Sequence, residues 1–184
     1  MCGLIGLISK KSISKDLIHE MLESLNHRGP DSNNYYLDNR FNLFLGHTRL
    51  SILDISDNAN QPIISNNKRY VMIFNGEIYN FKKLKKLIND KFAINWKSHG
   101  DTEVLINCIE KFGFLKSLEL IEGMFAIVIY DIKLQKIYLA RDKFGEKPIY
   151  FGNSNGKFYF SSELKAIIRD KEFKKEIDKD SVKY

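Results

Sequence analysis

Cys2 is the residue whose type and place could do the most chemistry. Removal of Met1 ahead of a small residue would leave Cys2 with a thiol and a free α-amine. An α-amine, with a reference pKa of about 7.7–8.0, is suited to act as a general base near neutral pH. A thiol of reference pKa ~8.5 is only a few per cent ionised there, so a base at hand matters. One residue could then supply nucleophile and base together. The alternative is a small buried hydrophobe in an N-terminal strand, and position alone leaves both readings open.

Three other residue sets have chemical potential. Asn75-Gly76 follows a β-like run, and a strand-end Asn-Gly can set a side-chain amide and a backbone N–H side by side. Two such donors are what a tetrahedral oxyanion needs, although taken alone the pair reads more readily as a plain Asn-Gly turn. Arg49 and Asp101 are complementary to a free amino acid. A guanidinium holds an α-carboxylate bidentately, and a carboxylate takes an α-ammonium. Their alternatives are a surface arginine and a helix N-cap. The histidines, His19, His27, His47 and His99, lack metal-ligand spacing. Cys108 falls on the apolar face of a helical pattern and reads as core.

The elements that must position these residues are legible in outline. An apolar run over 3–9 reads as a buried strand. Leu17, Ile18, Met21, Leu22 and Leu25 recur at helical spacing behind Ser14 as N-cap, with Gly29-Pro30 ending the helix. Segments 35–37 and 41–45 flank Asp38-Asn39-Arg40 as a hairpin, and further strands are expected over 49–53 and 70–74. Phe81, Leu84, Leu87 and Ile88 mark a second helix, with its lysines opposite. Val104, Leu105, Cys108, Ile109 and Phe112 mark a third that begins near Asp101-Thr102. Strands follow over 124–130, 136–140, 149–151 and 158–160, and a short helix carries Leu164, Ala166, Ile167 and Ile168. This order predicts an α+β chain with largely antiparallel sheets.

Bulk properties narrow the classes. A chain of 184 residues suits one domain, and burial of roughly 70% of its unfolded surface requires no disulfide or metal. Its 43% hydrophobic and 12% aromatic content is that of a globular protein. The formal charge of +6 is scattered. Its densest groups are Lys82, Lys83, Lys85, Lys86 and a tail over 171–183 interleaved with acids, which reads as solvated faces more than a nucleic-acid surface. No basic segment precedes the short apolar start, and no run approaches the ~18 apolar residues of a membrane span. The expectation is a cytoplasmic protein with no membrane partner, whose two cysteines are thiols.

Taken together, the motifs resemble those of class II glutamine amidotransferases. In order they are Met1-Cys2-Gly3, His27-Arg28-Gly29-Pro30-Asp31 and Gly46-His47-Thr48-Arg49-Leu50-Ser51-Ile52. Then come Asn75-Gly76-Glu77-Ile78-Tyr79-Asn80, His99-Gly100-Asp101-Thr102-Glu103, Glu122-Gly123-Met124-Phe125-Ala126 and Arg141-Asp142-Lys143-Phe144-Gly145-Glu146-Lys147-Pro148-Ile149-Tyr150. They look most like the N-terminal domain of glutamine-dependent asparagine synthetases. The likeness covers residues 2–168, and separated motifs agreeing in order are far more specific than any one of them.

The resemblance implies an N-terminal-nucleophile hydrolase fold, a four-layer αββα sandwich of two antiparallel sheets. It implies one amidotransferase domain over 1–184, with Cys2 as mature N-terminus and 169–184 opening a linker. Cys2 would attack the side-chain amide carbon of L-glutamine, with Asn75 and the Gly76 amide as oxyanion hole. Arg49 would grip the α-carboxylate, and Asp101 and Glu77 the α-ammonium. The backbone of Leu50, Ser51, Ile52 and Leu53 would line the pocket, while Arg28 and Asp31 brace the Cys2 loop. Ammonia leaves, and water releases glutamate from the thioester. The implied partners are L-glutamine, a synthetase domain and a second copy in a homodimer, and no nucleic acid. No metal or cofactor is implied in this domain. ATP and Mg belong to the synthetase domain, whose Gly-rich phosphate loop is not found here. Asparagine synthesis from aspartate is the default use of the ammonia. Amidation of another carboxylate, a non-catalytic regulatory role and a peptidase of the same fold remain alternatives, the last leaving the Arg49–Asp101 pair without a reason.

Overall fold

The computed structural model describes residues 1–51, 59–176 and 180. The chain opens with β1 (Gly3–Ile8), α1 (Lys15–Glu23), β2 (Ser32–Asp38), β3 (Leu43–Arg49), β4 (Ile63–Ile64) and β5 (Tyr70–Ile78). Three helices follow, α2 (Phe81–Asn89), α3 (Asp101–Phe112) and α4 (Phe114–Leu120). The last third comprises β6 (Gly123–Asp131), β7 (Lys136–Arg141), β8 (Tyr150–Ser154), β9 (Lys157–Ser161) and α5 (Leu164–Ile167).

The strands form two sheets, one ordered β2-β3-β1-β9-β8 and the other β4-β5-β6-β7. Every neighbouring pair is antiparallel. Alternation along the strands stacks them. Leu4, Leu45, Val71, Ile73, Val128 and Phe160 share one buried cluster, which fills the space between the two sheets. The intervening residues Met72 and Phe74 point the other way, against Val104, Cys108 and Ile109 of α3. On the opposite outer face, Ile5 and Leu7 pack against Ile18, Met21 and Leu22 of α1 and Ala166 and Ile167 of α5. The layers are therefore helices, sheet, sheet and helices, the αββα sandwich.

Local signals account for most element ends. Ser14 caps α1, its Oγ accepting the Leu17 N–H at 3.2 Å. The helix stops at Glu23, well short of Gly29-Pro30, and 24–28 is a chain of tight turns in which Leu25 remains fully buried. The strand expected over 49–53 is not seen at the described residues 50–51. Arg49 is the last residue of β3, Leu50 and Ser51 lie outside any strand, and Ile52 and Leu53 fall outside the described residues. β5 runs on past Phe74 to Ile78, so Asn75-Gly76 is inside a strand and not at its end. Helix α4 and the two-residue β4 were not expected.

The inter-sheet layer should dominate stability. Leu45→Ala, at a fully buried position, is expected to cost about 2–5 kcal/mol. Ile64→Ala, at a position 48% exposed, should cost under ~0.5 kcal/mol. Urea unfolding of both variants checks this, and similar midpoints would contradict the layer assignment.

Candidate active site

Cys2 lies just before the first rung of β1, half-buried and tied on several sides. Its Sγ accepts the Leu50 N–H at 3.4 Å and lies 3.7 Å from the Leu50 carbonyl oxygen. Arg28 Nε donates to the Cys2 carbonyl at 3.0 Å, and Arg28 Nη1 donates to Glu163 Oε1 at 2.9 Å. Glu163 sits just ahead of α5 and also meets His27 and Lys165. Partial burial opposes ionisation of Glu163, but Arg28, His27 and Lys165 outweigh it and hold the carboxyl at about 2. Asp31 braces the other side: its carboxylate accepts the Ser51 N–H at 2.7 Å and its own N–H donates to the Arg49 carbonyl. Arg28 and Asp31 thus hold the Cys2 surroundings, as expected.

Cys2 opens onto a cavity of about 330 Å³, at the small end of ligand sites (~300–1,000 Å³). One wall is the far end of β5, where a row of backbone groups faces away from β6. Phe74 heads that row: Gln61 Oε1 accepts its N–H at 2.6 Å and Gln61 Nε2 donates to its carbonyl at 3.1 Å. Ile78 closes it, with its N–H donated to Asp101 Oδ2 at 2.8 Å. Backbone direction alternates along a strand, so the Gly76 amide points to the same side, between these two capped positions and into the cavity it lines. A side chain on residue 76 is excluded, since a Cβ there would sit 2.1 Å from the Met124 carbonyl oxygen. Beside it, Asn75 is 2% exposed and lines the same cavity, yet its Nδ2 has no partner among the described residues. A buried amide donor left this way is rare and calls for an acceptor.

The charges around the cavity have both signs. Buried Arg49 donates from Nη1 to Asn60 Oδ1 at 2.7 Å. Glu77 and Asp101 line the cavity as well. Burial pushes the Asp101 carboxyl up; the amides of Ile78 and Thr102 offset part of that, and Glu77 adds to it. Lys147 completes the rim, its Nζ 3.6 Å from Met1 Sδ. The Lys147 loop is built on Asp142, whose carboxylate accepts the N–H groups of Phe125, Phe144, Glu146 and Lys147.

Of the residues expected at a site, the structure gathers Cys2, Arg49, Leu50, Asn75, Gly76, Glu77 and Asp101 around this one cavity. Ser51 is not among its lining residues, and Ile52 and Leu53 lie outside the described residues. Cys108 is fully buried in the α3 core, where burial pushes its thiol up. Asn60, Gln61 and Lys147 are polar neighbours that sequence reasoning did not single out. Among the described residues no three His, Cys, Asp or Glu side chains gather as metal ligands, and no helix is long and apolar enough to cross a membrane.

His47 supports this wall from beneath. Its Nε2 donates to the Phe74 carbonyl at 3.1 Å, and its Nδ1 has no partner among the described residues. Complete burial pushes it down to about 4; the Phe74 carbonyl opposes that shift and Arg49 reinforces it. The unfolded chain binds this proton below about pH 6.5, whereas the folded one refuses it until about 4. Stability should therefore be lost as pH falls through that window. His47→Gln should flatten the slope of unfolding free energy against pH between about 6.5 and 4. An unchanged slope would mean His47 titrates normally in the fold.

Comparison with known proteins agrees with this geometry. A family model described as a glutamine amidotransferase domain matches residues 1–184. The chain is 36% identical to a putative glutamine-hydrolysing asparagine synthetase 2 of Methanocaldococcus jannaschii, covering 99% of this chain and 38% of that protein. It is 40% identical to a probable glutamine-hydrolysing asparagine synthetase of Acanthamoeba polyphaga mimivirus, covering 91% of this chain and 30% of the relative. It is 34% identical to asparagine synthetase B of Escherichia coli, covering 91% and 30%. The chain thus spans about a third of the length of these relatives. Among solved structures, glutamine phosphoribosylpyrophosphate amidotransferase from B. subtilis superposes with a TM-score of 0.75 at 21% identity, covering 91% of this chain and 43% of that one. That likeness concerns the fold alone. With the family model spanning every residue, and a thiol, an amide without a partner among the described residues and charges of both signs meeting at one cavity, the chain belongs to the glutamine amidotransferase domain family.

Proposed function

We propose that this chain, with Met1 removed, hydrolyses L-glutamine to L-glutamate and ammonia through a thioester on Cys2. The observation that carries the reading is the buried Nδ2 of Asn75, without a partner among the described residues, on the wall of the cavity that Cys2 opens onto. The Cys2 α-amine takes the thiol proton as Sγ attacks the amide carbon of the substrate. Negative charge then develops on the amide oxygen, to which Asn75 Nδ2 and the Gly76 N–H can donate hydrogen bonds from positions fixed in advance. Collapse expels ammonia, which carries away the transferred proton, and water cleaves the thioester to glutamate.

The surrounding charges match a free amino acid better than a peptide. Arg49 offers a fork to an α-carboxylate, and Asp101 with Glu77 offers anionic partners to an α-ammonium. A ligand cation there would relieve the cost of keeping Asp101 charged in a buried position. The relatives are named glutamine-hydrolysing asparagine synthetases, which supports asparagine as the product; the ammonia would pass to an ATP-dependent synthetase portion with aspartate as acceptor. ATP and magnesium would act in that portion, and Cys2, Asn75 and Arg49 would serve only the release of ammonia.

Cys2→Ala is expected to abolish glutamate release, whereas Cys108→Ala should retain it, because Cys108 lies in the core away from the cavity. Intact mass after exposure to a glutamine-analogue electrophile reports methionine removal and thiol labelling together. Normal turnover by the Cys2 variant would refute the assignment.

Asn75→Ala should lower kcat by on the order of 10²–10³, the loss expected for one oxyanion donor. A donor that acts on the transition state accelerates the step without tightening the substrate, so KM should change little. Alkylation of Cys2 by a simple thiol reagent should persist. A variant that loses only binding would leave Asn75 as a structural residue.

A further inference from the structure

The segment leading into β4 has no part in the reaction above, yet two adjacent side chains touch both halves of the site. Asn60 Oδ1 accepts from Arg49 Nη1 at 2.7 Å and from Ser32 Oγ at 3.2 Å. Gln61, 5% exposed, takes both the N–H and the carbonyl of Phe74, the residue before Asn75. The register explains why a side chain does this. β4 pairs Ile63 with Met72 and Ile64 with Val71, and continuing that ladder would set residue 61 opposite Phe74. The Gln61 amide, one acceptor and two donors, fills that rung in place of backbone. The ladder therefore ends there, and the next outward-facing amide, that of Gly76, is left to the cavity.

We propose that Asn60-Gln61 is a positioning pair that sets the carboxylate grip of Arg49 in register with the oxyanion donors Asn75 and Gly76. Gln61 acts through Phe74 and does not touch the reacting atoms; Asn60 acts through Arg49. The two bonds to Phe74 fix the direction in which β5 presents the Asn75 amide, and transition-state donors lose effect when displaced by a fraction of an ångström. Because the two residues are consecutive, a shift at one end of the substrate is transmitted to the other. This inference rests on the glutaminase reading.

The test uses the mature protein, with glutamate release, KM and thermal melting measured on each variant. Gln61→Leu keeps the length and removes both polar groups. Gln61→Glu keeps an acceptor for the Phe74 N–H and loses the donor to its carbonyl, and it carries the test if the leucine variant does not fold. Either should lower kcat about tenfold or more with KM within about twofold. Asn60→Ala should instead raise KM more than it lowers kcat. The deciding measurement is the same Gln61 change in an Asn75→Ala background. If Gln61 acts through Asn75, the second substitution costs little further kcat. An equal loss in both backgrounds, or a Gln61 variant with wild-type kcat, overturns the proposal. A wild-type chain that releases no glutamate overturns the glutaminase reading as well, so the two failures are told apart by which protein fails.

Discussion

Strand β1 is hydrogen-bonded along both edges almost from its first residue, Gly3 facing Thr48 on β3 and Ile5 facing Ser161 on β9. A doubly paired strand cannot slide or twist without breaking both ladders. Cys2 is therefore delivered to the end of the larger sheet, where the smaller sheet brings up the open end of β5. Everything at the site depends on that pairing: the Leu50 contacts to Sγ, the Arg28 bond to the Cys2 carbonyl and the approach to Asn75.

The second requirement is a strand that is only partly paired. β5 has a full partner in β6, but β4 covers it only at Val71 and Met72. Unpaired edges are usually a hazard. Here the exposed row is blocked at Phe74 by Gln61 and at Ile78 by Asp101, and a single amide position remains between them. Asp101 thus has two parts, completing the strand edge and offering its carboxylate to the cavity. That double duty explains why a carboxylate 4% exposed is tolerated there.

Local pattern revealed most of the fold because alternation and helical spacing are short-range. The run 70–74 reads as a strand from its apolar residues alone. Its continuation to Ile78 was hidden because Asn-Gly-Glu resembles a turn, and those residues are polar on account of the cavity they face. The end of α1 is hidden for a related reason. Gly29 lies so close to the backbone of Thr48 and Arg49 that a Cβ would meet the Thr48 carbonyl oxygen at 2.4 Å, and the chain must leave the helix early to reach it. α4 is hidden behind Gly113, whose positive φ of 81° turns the chain into a second short helix. Residue type alone points to Cys2, Asn75, Arg49 and Asp101, and only motif order joins them. Gln61 could not be found that way, since its part comes from a register between distant segments.

The link from Arg28 to Glu163 joins positions 135 residues apart, and the pairing of Ile5 with Ser161 spans a similar distance. Such contacts carry the largest loop-closure cost and form only when most of the chain is available. Cys2, made almost at the start, is thus among the last residues to reach its folded surroundings. During synthesis Cys2 sits on a loose end, and the Arg28–Glu163 brace beside it is complete only once β9 and the start of α5 have arrived.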